Sequence, residues 1–299
     1  MTHSLALYNA HKRATLDRLT LTFQLQIRAL FRRLSANELD VIISHLEAGH
    51  RDYTPNTDLP QLDKHLQVIF KKFQDAAIKA GFSDGLQEVS PEGKLNLWAK
   101  YPITMPVEDT IVLEGGHALA EKRKTLFDEF LEQNQKTLEE KISDYVRGTK
   151  SAYLKNIRKT YAASAKKWFA GESDLETVKS YLKKALYSTD AEAERVLRTE
   201  TTNYFNYTRA EYFQKNTDVD YVELYAVTDG RISDICETRH GYCVPIEKAK
   251  LKKYCPAFHP HCRTVQRPLF SSLPSHKRII EKSERMDERK FAPLPKGWV

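Results

Sequence analysis

The sequence lacks the long apolar runs that mark membrane and secreted proteins. Its 299 residues contain no run that approaches the ~18 apolar residues needed for a membrane-spanning helix. The N-terminal segment, MTHSLALYNAHKRATLDRL, has no uninterrupted apolar stretch of the kind found in a secretory signal peptide. We therefore expect a protein of the cytoplasm that has no membrane partner.

Cysteine is scarce, and its four copies are confined to one short stretch. All four lie within residues 236–262, together with three of the ten histidines. Such a cluster suits zinc, which takes four cysteine or histidine ligands in a tetrahedron. Buried free thiols are an alternative, and two disulfides are a weaker one because no signal peptide is evident. The residues are Cys236, Cys243, Cys255, Cys262, His240, His259 and His261.

The sharpest part of this cluster is residues 259–263, HPHCR. A histidine and a cysteine three residues apart, with proline between them, can present both donor atoms from one tight turn. We predict that His259 and Cys262 form one ligand pair and that Cys236 and His240 form the other. The alternates for the second pair are Cys243 and Cys255.

Catalytic signatures are missing as well. The sequence has neither the HExxH motif of zinc proteases nor the HxE…PCxxC motif of zinc deaminases. A zinc-dependent nuclease or related hydrolase is the second interpretation, because a catalytic zinc needs only three protein ligands and an open position for water. Asp229, Glu237 or His261 would then act as the general base.

The spacing of apolar residues predicts a mainly α fold. Long helices are followed by a small α+β C-terminal module, which holds a short β-sheet and the Cys/His cluster. Gly81 is predicted to stop a helix, and Gly148 to break one. The strands are predicted at residues 221–227 and 264–266. The helices are predicted at residues 13–35, 37–48, 62–79, 117–148, 150–170 and 188–215, with one more that opens in a capping box at Ser173 and Glu176.

Proline and glycine positions divide the chain into four regions. Residues 1–81 are an N-terminal helical region, and residues 82–116 are an irregular linker or arm. Residues 117–268 form the main domain. Residues 269–299 are a polar tail that we expect to be partly mobile.

The charge balance is mildly basic, with a net charge of +7 and a pI of about 9.0. A basic excess favours polyanions as partners. The simpler interpretation of the basic cluster in residues 150–167 is a solvated face, and the functional one is contact with DNA or with an acidic protein surface. The cluster consists of Lys150, Lys155, Arg158, Lys159, Lys166 and Lys167.

The motifs of the C-terminal half follow one another in a recognisable order. A helix that contains Arg198-Thr199-Glu200 comes first, then a strand, Asp229-Gly230-Arg231, Cys236, His240-Gly241 and the HPxCR turn at residues 259–263. This order resembles the phage head morphogenesis family, the minor head proteins that include the F protein of phage Mu. The resemblance spans about residues 120–268 and is tightest over residues 195–267.

The resemblance implies a structural minor capsid protein rather than an enzyme, located in the virion or prohead interior after synthesis in the host cytoplasm. The partners that it implies are the portal protein, the capsid or scaffold, and double-stranded DNA during packaging or delivery. A structural zinc is the expected cofactor on the basis of the Cys/His cluster rather than of the resemblance. The residues that match the family pattern are Arg198, Glu200, Asp229, Arg231, Cys236, Gly241, His259, Cys262 and Arg263.

Two positions depart from the family pattern. Ser233 stands where many members have a second cysteine, and His240 stands where many have Asp or Asn. The missing thiol weakens a four-cysteine site, so we expect His240, Cys243 or Cys255 to compensate for it.

The charged motif residues are expected to have structural roles. Arg198 and Glu200 are two apart on a helix and do not share a face, so each should reach a different neighbour in the C-terminal module. Asp229 and Arg231 alternate along extended chain and should form an ion pair that fixes the turn.

Overall fold

The fold is described from a computed structural model of the chain, which describes residues 2–50, 55, 60–88, 116–187 and 190–296. They divide into two compact units. The first unit comprises Met1–Leu19, Gln74–Asn134 and Arg198–Val299, and the second comprises Thr20–Phe73 and Gln135–Leu197. Among the helices in these ranges, none combines the length and apolar character needed to cross a lipid bilayer.

Long helices dominate, as predicted. Their bounds are α1 Thr2–Glu47, α2 Pro60–Glu88, α3 Gly116–Phe169, α4 Leu175–Tyr187 and α5 Asp190–Asn216. The C-terminal elements are β1 Tyr221–Tyr225, α6 Asp234–Glu237, β2 Cys243–Pro245, β3 Val265–Leu269 and α7 Pro274–Ser283, with 3₁₀ turns at Ile246–Lys248 and Glu288–Lys290. The mainly α class with a small α+β module is therefore confirmed.

Two predicted helix breaks are wrong. Helix α1 continues through residues 35–37, and α3 continues through Gly148. Neither place contains proline. One glycine in a helix interior costs only about 1 kcal/mol relative to alanine, which the packing of a 54-residue helix outweighs.

In the second unit, aromatic side chains of the three long helices pack together in the core. Phe31 of α1 stacks on Tyr153 of α3 with 4.8 Å between the ring centroids. Phe23 meets Phe73 edge to face at 5.5 Å. Such aromatic pairs contribute about 0.5–1.5 kcal/mol beyond the area that they bury. The periodicity of the sequence thus identified the faces that form this core.

Helix α4 begins one residue later than predicted and is capped by Asp174 rather than Ser173. The Thr177 N–H donates to Asp174 Oδ1 at 2.7 Å, and the Thr177 hydroxyl donates to Oδ2 at 2.9 Å. These hydrogen bonds, the backbone one above all, hold the pKa of Asp174 below its ordinary value. Aspartate and serine cap helices equally well, so the spacing could not choose between the two neighbours.

Helix α2 ends at Glu88, beyond the predicted stop at Gly81. A Cβ at Gly81 would lie 1.8 Å from Thr208 Oγ1 and 2.9 Å from the carbonyl oxygen of Phe205, both in α5. A Cβ at Gly85 would lie 2.9 Å from the Tyr212 ring. The two glycines therefore permit close approach of α5 and do not end the helix.

Alanine substitutions at Gly81 and Gly148 are predicted to change the free energy of unfolding in opposite directions. Gly81→Ala should lower the free energy of unfolding by about 1–3 kcal/mol, because the added methyl group meets buried backbone. Gly148→Ala should raise it by about 0.5–1 kcal/mol, because Gly148 is exposed in a helix interior with no atom within 4 Å of an added Cβ. Urea unfolding followed by circular dichroism measures both, and effects of the same sign would contradict the close-approach role of Gly81.

The sheet lies in the first unit and has the order β2-β1-β3, with both pairs antiparallel. The prediction of β1 is confirmed to within two residues. Strand β3 extends to Leu269, beyond the predicted end, and β2 was not predicted because it has only three residues. Val265 of β3 packs with Phe205 of α5 and Leu16 of α1.

The segment predicted as a polar tail contains a helix and a 3₁₀ turn that contact the C-terminal module, and its mobility stays a prediction. Helix α7 lays Ile280 on Cys243 and Leu269. Farther on, the hydroxyls of Tyr242 and Tyr254 both donate to Glu288. The polar composition hid the few apolar residues that bring this segment back onto the module. The predicted irregular arm spans residues 82–116, but residues 82–88 belong to helix α2 and Gly116 begins α3. Residues 89–115 lie outside the described residues, and the domain boundaries stay a prediction.

Candidate metal centre

Ser233 positions the first cysteine of the cluster. Ser233 is the N-cap of α6, and its hydroxyl accepts from the Cys236 N–H at 3.3 Å. This contact places the Cys236 side chain in the first turn of a short helix. Gly241, with φ of +80°, then turns the chain towards β2, a conformation that favours glycine.

Three of the four predicted ligands come together. One donor atom from each of Cys236, His259 and Cys262 lies within 4.8 Å of the others. The two sulfurs are 3.6 Å apart, and Cys236 Sγ is 3.0 Å from His259 Nε2. Ligand atoms around a tetrahedral zinc lie about 3–4 Å apart, given Zn–S and Zn–N bonds of about 2.3 and 2.0 Å. The spacing and softness of these donors therefore fit a zinc ion.

The histidine is oriented for metal binding. His259 Nδ1 lies 2.7 Å from the carbonyl oxygen of Pro260, and a carbonyl can only accept a hydrogen bond. We therefore assign a proton to Nδ1, so that Nε2 is the ring nitrogen that faces Cys236 and would bind a metal ion. A backbone carbonyl that fixes the tautomer in this way is a common second partner of a histidine ligand.

Contacts within the group shift the pKa values of all three donor side chains. The hydrogen bond from Cys262, followed by one from His259, lowers the pKa of Cys236 well below its ordinary value. Burial raises the pKa of Cys262, and the hydrogen bond with Cys236 raises that of His259. Metal binding would displace whatever protons the two thiols and the imidazole Nε2 carry, so zinc affinity should rise with pH.

All four cysteines carry free thiols, but only two of them belong to this group. Cys243 packs in β2 against Leu269, and Cys255 is buried with its sulfur 3.7 Å from the Pro256 carbonyl. The predicted ligand His240 also lies elsewhere. Its Nδ1 accepts from the Ala226 N–H at 3.1 Å. Burial lowers the pKa of His240.

Ser233 lies at the remaining side of the group. Its hydroxyl is 2.8 Å from His259 Nε2, besides its bond with the Cys236 N–H. This contact requires residues 26 positions apart to meet, so the spacing could not reveal it. A hydroxyl is a weaker zinc donor than a thiolate or an imidazole. The arrangement therefore has three strong donors and one weak position.

A polar stripe on α5 holds the turn that carries His259 and Cys262, and the sequence reasoning missed it. Its members follow at steps of three and four residues, so they share one face of the helix. Each bonds to the backbone of residues 261–266, which fixes the position of the turn. The bonds are Thr199 Oγ1 with His261 N (3.4 Å), Thr202 Oγ1 with Cys262 O (3.2 Å), Asn206 with Thr264 O (3.3 Å) and Gln266 N (2.9 Å), and Arg209 Nη1 with Gln266 O (2.6 Å).

Asp229 fixes the other side of the turn. Both of its oxygens accept from Arg263, at 2.6 and 2.7 Å. The expected pair with Arg231 also forms, but its distance is 3.5 Å and Arg231 is largely exposed. The Arg263 guanidinium holds the pKa of Asp229 well below its usual range. Such a carboxylate is a weak base, which disfavours Asp229 as the general base of a hydrolase.

The remaining motif residues lie away from the three donors. Arg198 pairs with Asp17 of α1 at 3.3 Å, and Glu200 accepts from Asn203 at 3.1 Å. Both contacts are structural ones, but the first is with an N-terminal helix rather than with the C-terminal module.

The basic cluster lies on α3 in the second unit. Lys150 pairs with Asp63 at 2.8 Å, and Arg158 Nε donates to the Pro55 carbonyl at 3.2 Å. These two residues are thus engaged within the unit. The exposed members of the cluster are Lys155, Arg158, Lys159, Lys166 and Lys167.

One known protein family matches the part of the chain that contains the candidate metal centre. Residues 149–267 match the family described as Phage Mu protein F like protein. The match confirms the resemblance found in the sequence and supports a phage head morphogenesis protein. No curated protein and no solved structure matches the chain. The Mu F-like segment contains all three donors, Ser233 and the polar stripe of α5.

Proposed function

We propose that this chain is a structural minor head protein of a tailed phage, acting in head morphogenesis near the portal. The observation that carries the proposal is the Mu F-like match over residues 149–267. Proteins of this kind are generally structural. The proposed location is the prohead interior, with the portal protein and the capsid or scaffold as partners.

A structural zinc ion is part of this proposal. Cys236, His259 and Cys262 would hold it, with Ser233 or a water molecule at the fourth position. The three-stranded sheet is small and has little core of its own, so metal binding would add folding free energy that burial alone does not supply. The ion would join α6 to the 259–263 turn.

Contact with double-stranded DNA or with an acidic portal surface is the third part of the proposal. The exposed lysines of α3 support it, since they lie on the surface, whereas Lys150 is half-buried in an ion pair with Asp63. Their attraction to phosphate should weaken as salt is added.

One observation favours the zinc-dependent hydrolase as a second candidate. Many catalytic zinc sites have three strong protein ligands and leave the fourth coordination position to water or substrate. Against it, Asp229 is neutralised by Arg263, and Cys236 and Cys262 are almost completely buried. Glu237 and His261 are exposed and would be the remaining bases.

Counting the chain in phage heads tests the main proposal. Proheads and mature heads are purified from infected cells, and copies of the chain are measured against the portal and major capsid proteins by quantitative mass spectrometry. We expect a few copies per head that remain with the portal when the shell is dissociated. Absence from both kinds of head would contradict the proposal. Cleavage of DNA or of a model ester by the zinc-loaded protein would favour the hydrolase instead.

A further inference from the structure

A groove of about 340 Å³ lies between α3 and α4 in the second unit. One wall is a face of α3 that carries Lys159, Thr160, Ser164 and Lys167, and the other is formed by Val178 and Tyr181 of α4. The groove belongs to neither the metal centre nor the polar stripe of α5.

The charge around this groove is strongly one-sided. Residues 145–171 contain seven lysines and arginines and no acidic residue. Lys159 and Lys167 are both exposed and eight positions apart, which is about 12 Å along a helix at about 1.5 Å per residue. Two cations at this separation can each contact a phosphate of one extended strand.

The acidic groups nearby are mostly engaged. Asp174 accepts two hydrogen bonds from Thr177, and Glu176 pairs with Lys179 at 3.4 Å. Glu172 is exposed in the loop between the helices. Helix α4 also carries two exposed cations, Lys183 and Lys184.

An exposed aromatic ring lies at the same groove. Tyr181 is 53% exposed, whereas every other aromatic side chain in the described part of the chain is buried or half-buried. It lies beside the buried Val178, which gives the groove an apolar floor. An aromatic ring next to a basic groove is the arrangement that binds unpaired bases by stacking and their phosphates by charge.

We propose that the α3–α4 groove binds single-stranded nucleic acid, with phosphates on Lys159 and Lys167 and one base on Tyr181. A groove of this size admits a nucleotide but not a duplex, and a paired base has no face free to stack on the ring. This inference rests on the nucleic-acid contact in the proposed function, but it assigns a single strand rather than a duplex to the groove, and it needs neither the zinc ion nor the head role.

The test compares two double variants of the full chain that remove equal charge. Lys159→Gln/Lys167→Gln changes the groove, and Lys155→Gln/Lys166→Gln changes the same helix outside it. Fluorescence anisotropy measures binding to labelled oligothymidylate and to a duplex of equal length over a series of salt concentrations. We expect the groove variant to bind oligothymidylate at least about tenfold more weakly and to lower the salt slope by about 1.4, since each phosphate contact on a single strand contributes about 0.7.

Substitutions at Tyr181 provide the second readout. Tyr181→Ala should weaken oligothymidylate binding by about tenfold, given the usual contribution of one base–aromatic stack, and Tyr181→Phe should retain it. Neither substitution should change the affinity for the duplex. Circular dichroism checks that each variant is folded.

Each contrary outcome has a distinct meaning. Equal losses of oligothymidylate affinity in the two double variants would contradict the groove as the binding site and would leave only a diffuse DNA contact along α3. Tighter binding of the duplex, or no effect of Tyr181→Ala, would overturn the single-strand assignment. If the unmodified chain bound neither nucleic acid, both the groove's binding role and the proposed DNA contact would be contradicted. The head role would be unaffected, because the counts in heads decide it separately.

Discussion

Arg209→Met is expected to lower the free energy of unfolding by about 3–5 kcal/mol, as is usual when one member of a buried charge network is removed. Arg209 is completely buried and pairs with Asp84 at 2.8 Å and with Glu88. Lys12 pairs with the same two carboxylates. Without the guanidinium, two buried carboxylates share a single ammonium, and the Gln266 carbonyl loses a donor.

Chemical unfolding followed by circular dichroism measures this effect, and Arg198→Met is the matched control. Arg198 lies on the same helix and pairs with Asp17 at 3.3 Å, but it is 36% exposed. The control should therefore lose no more than about 1 kcal/mol. Equal losses in the two variants would contradict the role given to the buried network.

A double-mutant cycle sharpens the result. Asp84→Asn in the Arg209→Met background should cost less than it does alone, because the carboxylate has then already lost one partner. Strict additivity would mean that Arg209 acts mainly through Gln266 or through its packing on Phe205 and Phe213.

The charge network also explains what the N-terminal helices do for the Mu F-like segment. Lys12 and the two carboxylates lie outside residues 149–267, whereas Arg209 lies inside. All four belong to the first unit. A stretch of chain that resembled no family therefore supplies the counter-charges on which helix α5, and through it the 261–266 backbone, depends.

Local patterns predicted the fold class but not the helix ends. The apolar period of α1 and α3 is strong, and burial of Ile27 and Ile157 follows from it directly. The errors at Gly81 and Gly148 have a different cause. Glycine can mark a helix end, a close approach or an ordinary helix interior, and only the neighbouring helix decides which.

The candidate site was predictable to the extent that it is local. His259 and Cys262 are three residues apart, so one turn brings them together. The sequence offered Cys236 only as one of several candidate cysteines, and the structure places His240, its predicted neighbour, outside the group of donors. Ser233 reaches His259 through the N-cap of α6, a contact that no spacing rule contains.

The polar stripe of α5 was visible in the sequence but was not used. Thr199, Thr202, Asn206 and Arg209 recur at helical spacing within a helix that otherwise buries apolar residues. Since buried polar side chains need partners, such a stripe predicts a nearby backbone to be bound. By contrast, the pairing of Lys12 with Asp84 joins residues 72 positions apart and had no local signal.

Cys262→Ala is expected to abolish zinc binding and with it the thermal stability that the ion contributes. The purified, reduced chain should carry about one zinc, as elemental analysis measures, with its thiols protected until a chelator is added. At free zinc about a thousandfold above the dissociation constant, binding stabilises the folded state by about 4 kcal/mol. Its loss should lower the melting temperature by roughly 6 °C for a protein of this size.

Cys255→Ala is the control, because Cys255 is equally buried but lies outside the group of donors. It should keep the zinc and lose only the small packing term of a missing sulfur. If the unmodified chain contained no metal and four freely reactive thiols, the zinc proposal would be contradicted.

Ser233→Cys identifies the fourth position, and its result bears on the choice between a structural and a catalytic ion. A thiolate in place of the weak hydroxyl donor should tighten zinc binding at least tenfold, about 1.4 kcal/mol, and add a third sulfur-to-metal band in the cobalt-substituted protein. If the ion is structural, this variant should be more stable and equally able to enter heads. If the ion is catalytic, closing its open position should abolish hydrolysis instead. A Cys262→Ala protein as stable as the unmodified chain but lacking hydrolysis would also favour the catalytic ion.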